Sequence, residues 1–264
     1  MDILLWKERL IKLPLGELHL FSEVDSTNLV AEKLIQAGVE PFSLVVADSQ
    51  TAGKGRQGRD WITRPGEALA FSWILYPEKG RMQPETLGRL SGLGALAVAE
   101  TIQEKYGLQT EIKWPNDVLI EGRKVAGILV DAHWQGCQLI DVILGIGINV
   151  GKKAIPEDVQ FNFPGCSLEA AYGSEIDRLD FLVDVLESLL KWYRRLAEIS
   201  LIKAWNDRLA YKKKLVSLNS PQGLLAEGIV YGVEEDGALI LETHRGETRH
   251  FHSGEIQLRL VDRS

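Results

Sequence analysis

Two strongly apolar stretches limit what this chain can fold into. Residues 69–75 read Leu-Ala-Phe-Ser-Trp-Ile-Leu, and residues 139–150 read Leu-Ile-Asp-Val-Ile-Leu-Gly-Ile-Gly-Ile-Asn-Val. The first is too continuous to leave either face in water, and both are predicted as buried strands. Gly145 and Gly147 interrupt the second strand, and glycine inside a strand often marks the close approach of a ligand or another backbone.

Helices are predicted between these strands and others. Residues 17–24 alternate like a half-buried strand, residues 44–47 form another, and the run 25–28 is typical of an N-cap before a helix that ends at Gly38. A long helix from Pro84 to about Tyr106 carries one apolar face. Further helices are predicted at about 168–172, 178–197 and 200–210, the last capped by Ser200, after a loop at 151–165.

The pattern changes from Lys214 onward. Short β-like runs are separated by glycine-containing turns, and they cover residues 215–218, 224–233, 238–242, 247–251 and 256–261. Five short strands in about fifty residues predict a small β-barrel or sandwich. We therefore expect two domains, 1–213 and 214–264, which suits a chain of 264 residues.

The segment 50–61, Gln-Thr-Ala-Gly-Lys-Gly-Arg-Gln-Gly-Arg-Asp-Trp, is called the cationic loop below. Three glycines alternate with three cations, so backbone amides and positive charge can surround an anion. A solvated turn is the open alternative. The dinucleotide-binding fingerprint must open a helix, whereas residues 60–66 read as strand and turn, and a P-loop needs Lys and Ser/Thr where Arg59 and Asp60 stand.

Other polar residues are candidates for a site. Lys113 and Trp114 precede the turn 115–117, and Lys124 borders the apolar strand 125–131, so its amine can point inward or, as a turn lysine, into solvent. Ser26 and Thr27 offer hydroxyls beyond what a helix cap needs, although simple capping remains open. Asn149 can both donate and accept hydrogen bonds.

Several function classes find little support. No G-x-S-x-G elbow or Cys/His pair is present, and His250 and His252 lack a further metal ligand nearby. A net charge of −7 argues against general nucleic-acid binding. The two cysteines have neither a C-x-x-C nor a zinc spacing, and the sequence shows no signal peptide and no apolar run of about eighteen residues. These features predict a cytoplasmic protein outside the membrane. The remaining Gly, Lys, Arg, Asn and Gln residues suit phosphate chemistry by positioning and charge stabilisation.

Together these segments resemble the biotin–protein ligase family over about residues 17–262. Five motifs in the expected order carry the resemblance: Asp25-Ser26-Thr27-Asn28, Gln50 with Gly53-Lys54-Gly55-Arg56-Gln57-Gly58-Arg59-x-Trp61, Lys113-Trp114-Pro115-Asn116-Asp117, Gly122-Arg123-Lys124-x-x-Gly127 and Gly145-x-Gly147-Ile148-Asn149. Gly237-Ala238-Leu239 and Gly254-Glu255-Ile256 are similar to the small terminal barrel of that family.

The resemblance implies a fold and a reaction. The fold is α+β, with a mixed or antiparallel central sheet flanked by helices, like class II aminoacyl-tRNA synthetases, and a C-terminal β-barrel of the Src-homology-3 type. The reaction joins biotin to AMP from Mg²⁺-ATP, giving biotinyl-5′-AMP and pyrophosphate. A lysine of a biotin carboxyl carrier protein then takes the biotinyl group.

Roles follow from the resemblance residue by residue. Lys124, Arg56 and Asp117 are expected to act in catalysis, with Asp117 orienting or deprotonating the incoming lysine. Contacts to biotin, ATP or both are expected from Ser26, Thr27, Asn28, Gln50, Gly53, Lys54, Gly55, Arg56, Arg59, Trp61, Lys113, Asn116, Lys124, Gly127, Gly145, Gly147 and Asn149. No protein metal site is predicted.

Two departures from the family pattern matter. Lys54 stands where the family commonly has Arg, and lysine cannot form the bidentate fork. About sixteen residues precede the first predicted strand, too few for the family's DNA-binding module, so a ligase without repressor activity is expected. For assembly, a homodimer through a sheet edge is left open. For function, the alternatives are a lipoate–protein ligase and a non-catalytic biotin-binding regulator.

Overall fold

A seven-stranded sheet organises the larger part of the chain. The computed structural model describes residues 1–78, 82–156, 163–220 and 223–252, together with the backbone of 257–260. The strand order is β1-β2-β3-β7-β6-β5-β4. Only β1 and β2 run parallel among these neighbours, so the sheet is mixed. The strands are β1 (Leu18–Val24), β2 (Leu44–Gln50), β3 (Ala68–Leu75), β4 (Glu111–Lys113), β5 (Asp117–Ile120), β6 (Arg123–Gln135) and β7 (Gln138–Asn149).

Helices cover both faces of this sheet. They are α1 (Ile3–Leu10), α2 (Thr27–Gln36), α3 (Leu87–Tyr106), α4 (Leu168–Tyr172), α5 (Arg178–Tyr193) and α6 (Ile199–Asp207). The small residues of α3 allow close packing, because a Cβ at Gly94 would lie 3.0 Å from Ile128 Cγ1 and one at Gly92 would overlap the Trp205 ring. A separate apolar cluster that includes Ala31, Val45 and Ile143 lies between α2 and the sheet. Burial on both faces explains why β3 and β7 are continuously apolar.

Several predicted elements need correction. Helix α1 was not predicted, since its short sequence gives only a weak apolar face. Ser200 is not the cap of α6, because Glu198 occupies the N-cap and the Ser200 hydroxyl donates to Glu198 Oε2 at 2.8 Å. In the stretch 60–66, Asp60 and Thr63 form isolated bridges to Lys54 and Gln50 instead of a strand, whereas the predicted turn is present at 65–67. Helix α5 ends at Tyr193, before residue 197. Residues 157–162 of the predicted loop lie outside the described part of the chain.

All five C-terminal strands are present in the order β11-β10-β9-β8-β12, with antiparallel neighbours. They are β8 (Leu215–Ser220), β9 (Gly223–Val233), β10 (Leu239–Glu242), β11 (Thr248–Phe251) and β12 (Gln257–Leu260). The family-like tripeptide at 254–256 lies outside the described residues.

The turn between β9 and β10 packs on the larger domain. The Trp114 indole donates to Gly237 O at 2.9 Å, and Arg89 Nε donates to Glu235 O at 2.5 Å. Gly88 permits this approach, because a Cβ there would overlap Asp236 O. The small β domain therefore contacts the same segment, 113–117, that the sequence marks as a site motif. No helix in the described ranges is long and apolar enough to cross a membrane.

Candidate active site

A cavity of about 350 Å³ opens where the cationic loop lies over β6 and β7. All but one of the residues predicted to contact a ligand line it. They are Ser26, Thr27, Asn28, Gln50, Lys54, Gly55, Arg56, Arg59, Trp61, Lys113, Asn116, Lys124, Gly127, Gly145, Gly147 and Asn149, together with the predicted catalytic Asp117.

Gly53 is the exception and has a structural role in the loop. A Cβ at this position would lie 2.3 Å from Trp61 O and 2.8 Å from Gln50 Nε2. The Trp61 N–H donates to Gly53 O at 2.8 Å, which joins the two ends of the cationic loop. Glycine is needed here because two backbone segments approach closely.

Polar residues at the start of α2 and the end of β2 line one side of the cavity, called the polar floor below: Ser26, Thr27, Asn28 and Gln50. Ser26 is at the N-cap position, yet its side chain makes no capping hydrogen bond and it is buried beside the cavity. The Thr27 N–H instead donates to Gln50 Oε1 at 2.8 Å, and Gln50 Nε2 donates to Thr63 Oγ1 at 2.9 Å. Simple capping by Ser26, one of the two open interpretations, is therefore excluded.

Ser72 supports the polar floor from beneath and was missed by the sequence analysis. Its hydroxyl lies 2.6 Å from Asn28 Oδ1 and 2.8 Å from Thr27 Oγ1. Asn28 Nδ2 donates to Asp131 Oδ2 at 2.7 Å. The one available signal was a serine within an otherwise apolar strand, which must find a hydrogen-bond partner when buried.

Each glycine of the central strands gives space to a particular side chain. A Cβ at Gly145 would lie 2.3 Å from Asn28 Oδ1, and one at Gly147 would lie 2.3 Å from Trp61 Cε2. At Gly127 it would lie 3.0 Å from Lys124 Nζ. The Trp61 indole N–H is buried in this cavity with no partner among the described atoms.

Lys124 points into the cavity and pairs with Asp117. Its Nζ lies 2.7 Å from Asp117 Oδ1, and Lys113 Nζ lies 3.8 Å from Oδ2 of the same carboxylate. The Lys124 backbone is held by hydrogen bonds with Pro164 O and Cys166 N. The alternative of a solvated turn lysine is excluded, because its side chain is only 25% exposed. Burial raises the pKa of Asp117, but Lys124 and Lys113 outweigh burial and hold it below the usual value.

The arginines of the cationic loop extend the positive charge. Arg56 Nη1 donates to Asn116 Oδ1 at 3.4 Å, and Arg59 Nε donates to Arg56 O at 3.0 Å. Burial lowers the pKa of Arg56 from its usual value, although the nearby Asp117 charge opposes this. The partly desolvated Arg56 guanidinium can bind phosphate or carboxylate oxygens strongly when these enter the cavity.

Comparison with known proteins identifies the chain. Residues 20–149 match the biotin/lipoate A/B protein ligase family, and residues 216–259 match the biotin protein ligase C-terminal domain. The chain is 32% identical over 251 residues to the bifunctional ligase/repressor BirA of Bacillus subtilis, covering 92% of this chain and 75% of that protein. The chain belongs to the biotin/lipoate A/B protein ligase family.

Two further relatives match this ligase-family chain over almost their whole length. The biotin–[acetyl-CoA-carboxylase] ligase of Paracoccus denitrificans is 32% identical, with 86% of this chain and 95% of that protein covered. The biotin protein ligase of Aquifex aeolicus, solved in complex with biotin and ATP, superimposes with a TM-score of 0.78 at 30% identity. That match covers 93% of this chain and 99% of the other. The mixed α+β fold with a small C-terminal β domain is thereby confirmed.

Asn116 and Asn149 line the cavity, and each also forms a hydrogen bond to a backbone carbonyl. Asn116 Nδ2 donates to Ile128 O at 2.9 Å, and Asn149 Nδ2 donates to Cys166 O at 3.3 Å. Asn149 Oδ1 is left for a ligand, whereas Asn116 Oδ1 already accepts from Arg56 Nη1 at 3.4 Å. Beside them, apolar side chains form a wall that suits a flat ring, and it includes Ile128, Ile155, Pro156 and Phe163.

His250 and His252, the two histidines considered as a metal site, do not line this cavity. His250 Nδ1 lies 2.7 Å from Glu234 Oε2, and His252 Nδ1 lies 3.5 Å from Asp236 Oδ2. In the part of the chain that the structure describes, no group of three or more His, Cys, Asp or Glu side chains is placed to hold a metal ion.

Proposed function

We propose that this protein is an ATP-dependent biotin–protein ligase that makes biotinyl-5′-AMP and transfers biotin to a lysine of a biotin carboxyl carrier protein. One observation carries the proposal. A single cavity is lined by the hydrogen-bonding groups of the polar floor and by five cations: Lys54, Arg56, Arg59, Lys113 and Lys124. A molecule with a polar ring and a carboxylate, placed beside a nucleotide, matches this distribution of groups.

The first step requires charge stabilisation more than covalent chemistry. A biotin carboxylate oxygen attacks the α-phosphorus of ATP, and the bond to pyrophosphate breaks. Negative charge accumulates on the α-phosphate oxygens in the transition state, and Lys124 can donate to them from its position in the cavity. Ser26, Thr27 and Gln50 would hold the ureido ring, and so fix the direction of attack.

The cationic loop would protect the product. A mixed anhydride of biotin and AMP hydrolyses if water reaches it. Arg56 and Arg59 would bind its phosphate, and Trp61 would cover the ring, so water is excluded from the reacting atoms. Lys54 lines the same cavity, but its single ammonium offers no bidentate contact.

Asp117 is proposed to act in the second step. The incoming lysine attacks the biotinyl carbonyl and must lose a proton, and AMP leaves. The lowered pKa of Asp117 keeps the carboxylate ionised at neutral pH. A weakly basic carboxylate is better suited to orient an ammonium or amine than to remove its proton, so we favour orientation.

Mg²⁺ fits this site as an ion bound through the substrate. Magnesium is commonly held by one or two carboxylates together with substrate phosphates. Asp117 is already paired with two lysines, so the triphosphate oxygens would supply most of the ligands. The ion would neutralise charge on the departing pyrophosphate.

The finer assignments are also proposals. We infer a boundary near residue 213, a C-terminal barrel of the Src-homology-3 type, a class II synthetase-like larger domain and action in the cytoplasm. Two free cysteines support the cytoplasm, and the acidic net charge supports activity without DNA binding. We also propose a homodimer through an exposed edge of the mixed sheet, which analytical sedimentation would test.

A transfer assay tests the function. The purified protein is incubated with Mg²⁺-ATP, a carrier domain and either radiolabelled biotin or lipoate. Label on the carrier from biotin alone is expected. Label from lipoate instead would identify a lipoate–protein ligase, and tight biotin binding without any label on the carrier would identify a regulator.

A further inference from the structure

The hydroxyl of Ser72 lies directly beneath two residues of the polar floor. Ser72 is 0% exposed and sits in β3 between apolar neighbours. A buried hydroxyl without a partner is costly, and here it lies at hydrogen-bond distance from Asn28 Oδ1 and Thr27 Oγ1, at 2.6 and 2.8 Å. Its neighbour in β7 is Gly145, above which the Asn28 amide lies. Ser72 and Gly145 thus form the surface on which Asn28 rests.

The chemistry of the partners fixes the direction of these hydrogen bonds. Asn28 Nδ2 must face the Asp131 carboxylate, which only accepts, so Asn28 Oδ1 faces Ser72. The single hydroxyl proton of Ser72 is then donated to Asn28 Oδ1. Ser72 then has no proton left for Thr27, so the 2.8 Å contact between the two hydroxyls is a hydrogen bond only when Thr27 donates it.

This direction determines what the polar floor offers to a ligand. The Thr27 proton is used inside the protein, toward Ser72 Oγ at 2.8 Å or toward Gln50 Oε1 at 3.2 Å. The lone pairs of Thr27 Oγ1 are left to accept from a ligand N–H. Gln50 Nε2 has one proton beyond that given to Thr63, so it can donate to a ligand carbonyl.

We propose that Ser72 is a positioning residue that makes the cavity selective for a cyclic urea over an apolar ring such as the dithiolane of lipoate. The inference rests on the proposed ligase function. A ring with N–H and C=O groups pairs with the oriented Thr27 and Gln50 groups, whereas an apolar ring leaves them unpaired. Sites built to bond a polar group reject analogues that lack it, because buried polar groups then stay unsatisfied.

Binding of biotin and of ATP to Ser72→Ala, each measured by titration calorimetry, tests this role. The Kd for biotin is expected to rise by about tenfold, as for one mispositioned hydrogen bond, with the Kd for ATP within about twofold. The preference for biotin over lipoate in the transfer assay should fall by a similar factor. Ser43→Ala is the matched control, because Ser43 is also 0% exposed but lies outside the cavity. Its hydroxyl donates to Glu40 O at 2.7 Å and accepts from the Glu17 N–H at 2.9 Å.

The outcomes separate positioning from general damage. If Ser72→Ala and Ser43→Ala change biotin binding equally, or if ATP and biotin weaken together, Ser72 is only structural and the inference is wrong. Should Ser72→Ala not fold, Ser72→Cys carries the test, because a thiol is a weak donor; a folded Cys variant with wild-type biotin affinity overturns the inference. A wild-type protein that binds no biotin would instead refute the proposed function.

Discussion

Replacing Lys124 with alanine removes the amine on which the proposed adenylation depends. That amine lies 2.7 Å from Asp117 Oδ1 and 5.3 Å from the centre of the Trp61 ring. Lys113 lies 3.8 Å from the other carboxylate oxygen and so approaches Asp117 from a different side. Loss of one preorganised donor to a developing charge costs about 3–4 kcal/mol, which corresponds to about a 10²–10³-fold slower formation of biotinyl-5′-AMP.

The same substitution affects stability, and the two effects must be separated. Asp117 would keep its burial but lose its strongest partner. Breaking a fully buried pair costs about 3–5 kcal/mol, and because Lys124 is partly exposed we expect about 1–2 kcal/mol at neutral pH. The variant should therefore remain folded at 25 °C, and its rate can be interpreted.

Single-turnover formation of biotinyl-5′-AMP, with thermal melting in parallel, measures both effects. Lys105→Ala is the matched control, because Lys105 Nζ also lies 2.7 Å from a carboxylate, Asp184 Oδ1, but on the exposed surface of α3. The control should react at the wild-type rate within about twofold, since surface ion pairs contribute about 0–1 kcal/mol. A folded Lys124→Ala protein that makes biotinyl-5′-AMP at a near-normal rate would show that Lys124 does not stabilise the adenylation transition state.

Three further predictions follow from the contacts. Gly145→Ala should raise the KM for biotin by about tenfold or more, with little change in the KM for ATP. The new methyl would lie 2.3 Å from Asn28 Oδ1, and overpacking costs about 1–3 kcal/mol. Equal effects on both substrates would contradict this prediction. Asp117→Asn should lower the free energy of unfolding at pH 7 by about 1 kcal/mol. Because the folded-state pKa of Asp117 is lowered, this contribution is present above the unfolded-state pKa of roughly 3.9 and is lost as pH falls through the folded value. Urea titrations at pH 7, 5 and 3 should show the gap closing, and a gap that widens toward pH 3 would disprove the assignment. Trp114→Phe should cost about 1–3 kcal/mol in thermal melts, because Gly237 O loses its 2.9 Å donor; an unchanged melting temperature would show that this contact is energetically neutral.

Much of the fold could be predicted because its signals are local. The apolar runs of β3 and β7 can only be covered strands, and the turn residues between the C-terminal strands separate five short segments. Helix α1 gave no comparable signal, since only Trp6 and Leu10 of its eight residues are buried. Ser200 was assigned as a cap from residue type alone, although Glu198, two residues earlier, occupies the N-cap and the helix begins at Ile199.

The site was predicted as a set of residues and not as a set of contacts. Motif residues from distant segments do line one cavity, with Gly53 as the exception. Its glycine requirement comes from the close approach of Trp61, eight positions away, which no local pattern reveals. Ser72 was missed for the related reason that its partners, Thr27 and Asn28, are more than forty residues away in sequence.

The glycines of β7 show why contacts change the interpretation of a motif. The sequence indicates that something approaches closely at Gly145 and Gly147, and the resemblance assigns the space to biotin. In the structure the Asn28 amide occupies the space above Gly145, and the Trp61 indole occupies that above Gly147. Asn28 belongs to the polar floor and Trp61 to the cationic loop, so two positions on the same face of β7, Gly145 and Gly147, set the placement of both. A side chain at either glycine would move one wall relative to the other. The spacing between the ring-binding and the phosphate-binding groups therefore depends on the absence of a side chain at both Gly145 and Gly147.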